Sequence, residues 1–437
     1  MKITGIAAAA LLCLWGTLAE AAPQALSLQE CIEIALANHP SLKEAAGAVQ
    51  EQEARLESLK VNDRATVSTG ASYGYSDSSS GSAENSYSVS ATGTKTLYDS
   101  GKNRLSKSAQ KLAILQADEG EADTRLSVLT GVKRAYYDLL LADKNLEVEE
   151  TQLRNLSDHL EKAKGYYDVG ARPRIDITKA EVDVANARVA VLKAEAGVKL
   201  NREALLVAMG DVNLQPFTLS SPLEEPDIQA GEADAPRLTD LALRNRPDYL
   251  RSSLAVSAAN IRIQSAARSS SPTVSANAGG AYGGRAFPLE DSFNAGVRVD
   301  FPLYDAGERD AEVSVARSQL TQAEASLESL TQNIVYEVRQ AVLDLENARM
   351  RIRAAEDALQ YAQENLDLAQ GRYDTGVGSP LEVSDAVSEF SQTLFTFYQS
   401  LYDAQTAVVA LEEATAEPRA LALQKELRQA RTEVSRR

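Results

Sequence analysis

Large apolar residues recur every seven positions in the C-terminal half of the chain, at Val313, Leu320, Leu327 and Ile334 and again at Val338, Leu345, Ile352, Leu359, Leu366 and Tyr373. A second row on the same face is alanine, at Ala316 and Ala323 and then at Ala341, Ala348, Ala355, Ala362 and Ala369. Heptads with one large and one small row predict a long helix that neighbouring helices approach closely. The four-residue steps at Leu330, Ile334 and Val338 form a stutter that locally unwinds the supercoil. From about Asp310 to Gln370 such a helix rises roughly 90 Å. That length suits a wall of parallel rods rather than a globular core, although a solvated coiled-coil rod fits this stretch equally well by itself.

The design occurs twice. Leu97-Tyr98-Asp99 returns as Leu303-Tyr304-Asp305, a shift of 206 residues, and Tyr167-Asp168-x-Gly170 returns at the same shift as Tyr373-Asp374-x-Gly376. Val132, Ala135, Asp138 and Leu139 are matched in the same way by Val338, Ala341, Asp344 and Leu345. Each unit therefore predicts a long helix folded back at a Tyr-Asp-x-Gly turn into a shorter one, which in the first unit runs from Arg174 to Gly210. Ser27-Leu28-Gln29-Glu30 has the capping-box form and opens a helix ending near Asn38, ahead of Pro40. A second helix follows from Ser41 to about Arg64, and Leu238 to Asn245 before Pro247 is the echo of the first. The helix before the strands and the helix after the turn together match the long one, so two shorter helices stack end to end beside an unbroken neighbour. Between the units, residues 211–236 carry four prolines (Pro216, Pro222, Pro226, Pro236) and predict an irregular segment at mid-height.

Between Ala65 and Tyr98 the period switches to two. Val67, Thr69, Ala71, Tyr73 and Tyr75 alternate with small polar residues, and after a polar loop Tyr87, Val89, Ala91 and Gly93 do the same. The second unit repeats the pattern with Val274, Ala276, Ala278, Gly280 and Tyr282, then Phe293, Ala295, Val297, Val299 and Phe301. Strands of about ten residues with one apolar and one polar face suit a transmembrane barrel with a wet lumen. A soluble hairpin would explain either pair alone. Four strands do not close a membrane barrel, and an open edge in lipid leaves amides unpaired at several kcal/mol each. Membrane insertion thus requires several chains to share one barrel, two giving eight strands or three giving twelve.

Composition narrows the choice. Met1 to about Ala21 reads as a secretory signal peptide, with Lys2, an apolar core through Leu18 and a small-x-small site at Ala19-Glu20-Ala21. The mature chain then keeps a single cysteine, Cys31, at an apolar helical position, so no intramolecular disulfide forms. No later apolar run reaches the roughly 18 residues of a membrane helix, which leaves β-structure as the route into a bilayer. The formal charge of −17 argues against nucleic acid as a partner. His39 and His159 are the only histidines, with no metal-ligand cluster or nucleophile elbow beside them. The glycine-rich run from Gly279 to Gly284 lies in a strand rather than in the strand-turn-helix setting of a phosphate loop. No catalytic residue, cofactor or metal is expected. The rival to a membrane duct is a periplasmic coiled-coil scaffold or adaptor without a barrel, which leaves the duplicated strands unexplained.

The helix ending at Asn38-x-Pro40, the Leu-Tyr-Asp after each strand pair, both Tyr-Asp-x-Gly turns and the internal repeat together resemble the TolC family of outer-membrane efflux and secretion ducts. The resemblance covers essentially the whole mature chain. It implies a mainly α-helical protein with a small β part: a homotrimer in which an α-helical barrel continues into a shared 12-stranded transmembrane β-barrel, four strands per chain. It divides the chain into a signal peptide (1–21), a first repeat (22–210), a linker (211–236), a second repeat (237–416) and a C-terminal tail (417–437). It also implies outer-membrane lipid around the barrel, with a periplasmic adaptor and an inner-membrane transporter as partners. By position, the pore constriction falls to Glu382 and Asp385, spaced to share a helix face. The hydrogen-bonded tip latch falls to Asp176 and Tyr373, and the adaptor-contacting tip to Gly170, Ala171, Arg172 and Gly376. Acidic residues at a helix N-terminus also occur for capping reasons alone. The chain departs from the family pattern in carrying Gly378 where an arginine is expected, with Arg172 after the first turn instead.

Overall fold

The computed structural model describes residues 24–76, 84–214, 217–226, 234–285 and 287–416. The expected signal peptide, the C-terminal tail and most of the polar loop after Ser76 lie outside the described residues.

In the first repeat, strand β1 (Gln24–Leu26) precedes helices α1 (Leu28–Asn38) and α2 (Pro40–Val61), strands β2 (Thr66–Ser76) and β3 (Glu84–Tyr98), and helices α3 (Lys102–Asp168) and α4 (Arg174–Met209). The second repeat follows strand β4 (Phe217–Leu219) with helices α5 (Ala235–Asn245) and α6 (Pro247–Ala266), strands β5 (Thr273–Gly284) and β6 (Glu290–Asp300), and helices α7 (Glu308–Asp374) and α8 (Pro380–Thr415). The capping box forms as its residues dictate: Ser27 accepts the Glu30 amide, and the Glu30 carboxylate accepts the Ser27 amide at 2.7 Å. Helices α3 and α7 each run for 67 residues, so about 100 Å.

The seam read from the heptads is the seam that packs. Ile334, Val338, Ala341, Leu345, Ala348, Ile352, Ala355, Ala362, Leu366, Ala369 and Tyr373 are all buried on α7. Helix α3 lies at the centre of the wall, against α2 and α6 toward the strands and against α4 and α8 toward the turns, while α7 lies against α6 and α8. End-to-end stacking is visible at Gly210, the left-handed cap of α4 (φ 70°). A Cβ there would stand 2.7 Å from the Cα of His39, at the junction of α1 and α2. In the second repeat Arg246, between α5 and α6, reaches the Ala414 carbonyl near the end of α8 and pairs with Asp248 and Glu337.

At mid-height α1, β1 and β4 close a core of Leu26, Cys31, Ala35, Val132, Tyr136, Leu139, Leu205, Met209 and Phe217. The two short strands pair in parallel, Gln24 with Phe217 through Leu26 with Leu219. This pairing was not legible in the proline-rich linker, because three residues carry too little periodicity to signal a strand.

The four longer strands form one antiparallel sheet in the order β2-β3-β5-β6. Register keeps the alternation intact across it: Val67 faces Gly93, Ala71 faces Val89, Val89 faces Tyr282 and Ala276 faces Val297. The apolar side chains line one exposed face, with Val67 at 75%, Val297 at 66% and Phe293 at 80% exposure. Among the described residues strands β2 and β6 each lack a second neighbour. The flanks of the helical wall are equally uncovered. Ile175, Val182, Val189, Leu192 and Leu200 on α4 are 51–73% exposed, and Tyr336, Leu343, Met350, Tyr361 and Leu368 on α7 are 57–68% exposed. Among the described residues no helix is long and apolar enough to cross a membrane.

Candidate gate at the tip of the helical hairpins

Both long helices end in left-handed glycines, as their Tyr-Asp-x-Gly motifs require. Gly170 (φ 73°) follows α3, with its amide on the Tyr167 carbonyl and that of Ala171 on Tyr166. Gly376 (φ 81°) follows α7, and the amides of Val377 and Gly378 both return to the Arg372 carbonyl. The two turns lie side by side, so that α3, α4, α7 and α8 reach the tip together around a core containing Leu156, Val184, Leu366, Tyr373, Val383 and Val387.

Polar contacts tie one hairpin to the other. Lys162 on α3 holds both carboxylate oxygens of Asp374, at 2.9 and 2.8 Å, and the Tyr166 hydroxyl donates to the Asp374 carbonyl at 3.1 Å. Arg172 reaches across from the first turn, donating to the Gly378 carbonyl at 2.7 Å while its guanidinium lies 5.3 Å from the centre of the Tyr373 ring. The second turn needs glycine for space: a Cβ on Gly378 would stand 2.9 Å from the Tyr373 amide nitrogen. Deeper in, Ser384 on α8 donates to Asp183 on α4 at 3.0 Å.

Tyr373 is 1% exposed and its hydroxyl has no hydrogen-bond partner among the described residues. The hydrogen bond expected between Asp176 and Tyr373 is therefore not made within this chain. Burial raises the Tyr373 pKa, with Asp176 acting in the same direction by its charge and Arg172 opposing it. The cross-hairpin hydrogen bonds come instead from Lys162, Tyr166, Arg172 and Ser384. His159 packs into the core at the tip, with its ring 4.8 Å from that of Tyr373. Burial holds its pKa below the usual histidine value. Its spacing from Leu156, Ala163 and Tyr166 marks a seam position of α3, and that signal was available in the sequence.

Glu382 and Asp385 stand exposed one turn apart at the start of α8. Ser379 caps the helix by accepting the Glu382 amide at 3.2 Å, and the Glu382 carboxylate faces Arg372 at 3.4 Å. Gly170, Ala171 and Gly376 are exposed at the extremity, whereas Arg172 is half-buried by its own contacts. Among the described residues no group of acidic, histidine or cysteine side chains is arranged to hold a metal.

Residues 31–211 and 238–417 match the sequence pattern of the outer membrane efflux proteins, one repeat at a time. The chain belongs to the outer membrane efflux protein family. Among its relatives, the cation efflux system protein CusC of Escherichia coli is 24% identical over 399 residues, covering 85% of this chain and 81% of that protein. The outer membrane protein TolC of Vibrio cholerae is 23% identical over 314 residues, 68% of this chain and 70% of its own. Crystal structures agree in fold. CusC superposes with a TM-score of 0.77 at 22% identity over 89% of this chain and 91% of its own. The Vibrio cholerae channel VceC does so with a TM-score of 0.74 at 19% identity over 89% and 95%. This efflux protein is thus an outer-membrane channel with a periplasmic helical extension, and not an enzyme.

Proposed function

We propose that three copies of this efflux protein close a twelve-stranded barrel in the outer membrane and a helical tunnel beneath it, as in the TolC family. The duct passively conducts substrates from a periplasmic adaptor and an inner-membrane transporter to the exterior. The observation that supports this most directly is the coincidence of uncovered flanks. Among the described residues strands β2 and β6 each have a neighbour on one side alone, and α4 and α7 carry exposed apolar rows over the same flanks of the chain. Edge amides in lipid must find partners, and another copy of the same sheet supplies them. In the assembly, Glu382 and Asp385 of three chains place six carboxylates around the narrow end, a field that concentrates cations. Gly170, Ala171, Arg172 and Gly376 form the surface offered to the adaptor, which opens the tip by binding its open form more tightly than its closed one.

Planar-bilayer conductance of the detergent-purified protein tests this. The expected wild-type conductance is small and cation-selective, and Glu382→Ala/Asp385→Ala raises it and removes the selectivity. A channel indifferent to these changes would refute the acidic constriction and leave the duct. Protein that stays soluble without detergent and forms no channel would favour the periplasmic scaffold.

A further inference from the structure

Helix α8 begins with two carboxylates on its exposed face, and their surroundings differ. Val383, Ala386 and Val387 turn into the core at the tip, which leaves Glu382 and Asp385 on the side facing away from it. Among the described residues Asp385 makes no ion pair, whereas Glu382 accepts from Nε of Arg372 at 3.4 Å. The cations that bridge the two hairpins are engaged elsewhere. Lys162 is held by both carboxylate oxygens of Asp374, and Arg172 donates to the Gly378 carbonyl beside the Tyr373 ring.

Both ends of the Arg372–Glu382 pair are anchored by the turn between them. The Arg372 carbonyl accepts the amides of Val377 and Gly378 at 3.0 and 2.8 Å and the Thr375 hydroxyl at 3.0 Å. Ser379 caps α8 by accepting the Glu382 amide. Gly378 keeps the side of the turn next to Arg372 free of a side chain, since a Cβ there would stand 3.1 Å from that of Arg372. A fixed backbone therefore delivers the guanidinium to the start of α8, while the two side chains remain 56% and 47% exposed.

An exposed pair of this kind contributes little to stability. Its effect is on the field. At moderate salt the Debye length is about 10 Å, which spans the pair and the further turn of about 5 Å to Asp385. The Arg372 charge thus acts on both carboxylates, and the formal charge of the row falls from two negative charges per chain to one. We propose that Arg372 sets the ion selectivity of the tip by offsetting Glu382, so that the cation preference of the constriction comes from one uncompensated carboxylate per chain. This rests on the acidic constriction proposed above. Conduction needs an attraction weak enough for the ion to leave, and a half-compensated row of carboxylates supplies it.

The test is the reversal potential of the full-length protein in planar bilayers under a KCl gradient. The variants are Asp385→Asn, Arg372→Gln, Arg372→Lys, the double variant Arg372→Gln/Glu382→Gln and, as a matched loss of charge far from the tip, Arg262→Gln, an exposed arginine on α6. Removing one positive charge per chain in Arg372→Gln should raise the ratio of cation to anion permeability about twofold or more. Arg372→Lys and Arg262→Gln should keep the wild-type ratio, the double variant should return to it, and Asp385→Asn should lower it. If Asp385→Asn lowers the ratio and Arg372→Gln leaves it unchanged, the constriction stands and the role of Arg372 is overturned. Equal shifts in Arg372→Gln and Arg372→Lys would overturn it as well, because the charge would then not be what acts. A ratio unmoved by Asp385→Asn would refute the constriction itself and the inference with it. The ratio is read from open channels, so a variant that changes how often the tip opens is still scored.

Discussion

Arg172→Ala and Tyr373→Phe separate two accounts of what holds the tip closed. Arg172 donates a 2.7 Å hydrogen bond to the Gly378 carbonyl, and a charged donor to a neutral acceptor contributes about 1.5–3 kcal/mol. Its place over the Tyr373 ring, 5.3 Å from the centre, adds about 0.5–1 kcal/mol. Because the side chain is only half-buried, the lower end applies, about 2 kcal/mol per chain or roughly 30-fold in the closed-to-open ratio. Three tips moving together multiply this to about 10⁴-fold, enough to turn a 99:1 closed population into its reverse. Tyr373→Phe removes a hydroxyl with no partner, and deleting an unmet buried polar group is near neutral. Single-channel recording should therefore show Arg172→Ala largely open at rest and Tyr373→Phe indistinguishable from wild type. If Tyr373→Phe opens the channel and Arg172→Ala does not, the Asp176–Tyr373 latch holds the tip and the role given to Arg172 is wrong.

Assembly is open to a similar test: Leu192 and Tyr361 are 64% and 68% exposed in the single chain, and burying such a residue contributes about 1.5–3 kcal/mol, so Leu192→Asp or Tyr361→Asp should shift native mass spectra from trimer to monomer. Trimers of unchanged stability would show that these rows are not the interface. Cys31 is fully buried, and burial together with the Glu30 charge pushes its thiol up to about 11 from 9.0. Folding therefore favours the protonated thiol, a contribution complete below pH 9 and lost as pH rises toward 11. At pH 8 the native protein should resist maleimide and label only on unfolding; prompt labelling would refute the burial. His159 has its pKa lowered by burial, with the charges of Asp183 and Asp176 opposing and those of Lys162 and Lys179 adding to the effect. The closed tip thus favours neutral imidazole, a stabilisation present above pH 6.5 and lost as pH falls. Basal conductance should rise as pH falls below 6.5 in wild type and lose part of that response in His159→Asn; identical profiles would remove His159 from the gate.

Local patterns determined much of this protein. The heptads from Val313 to Tyr373, the period-two runs from Val67 and Val274, the Asn38-x-Pro40 break and the two Tyr-Asp-x-Gly turns each place an element, because each depends on spacing along one segment. The duplication paired the elements, since matching residues recur at one fixed shift. What depends on which segments meet was decided only by the tertiary structure. The strands Gln24–Leu26 and Phe217–Leu219 are too short to carry a period and exist because they pair with each other across almost 200 residues. The contacts of Arg172 with Gly378 and of Lys162 with Asp374 join residues more than 200 positions apart, set by how two hairpins lie at the tip. Sequence spacing fixes the face of an element on which a side chain stands, while the distance between two faces follows from packing the whole chain.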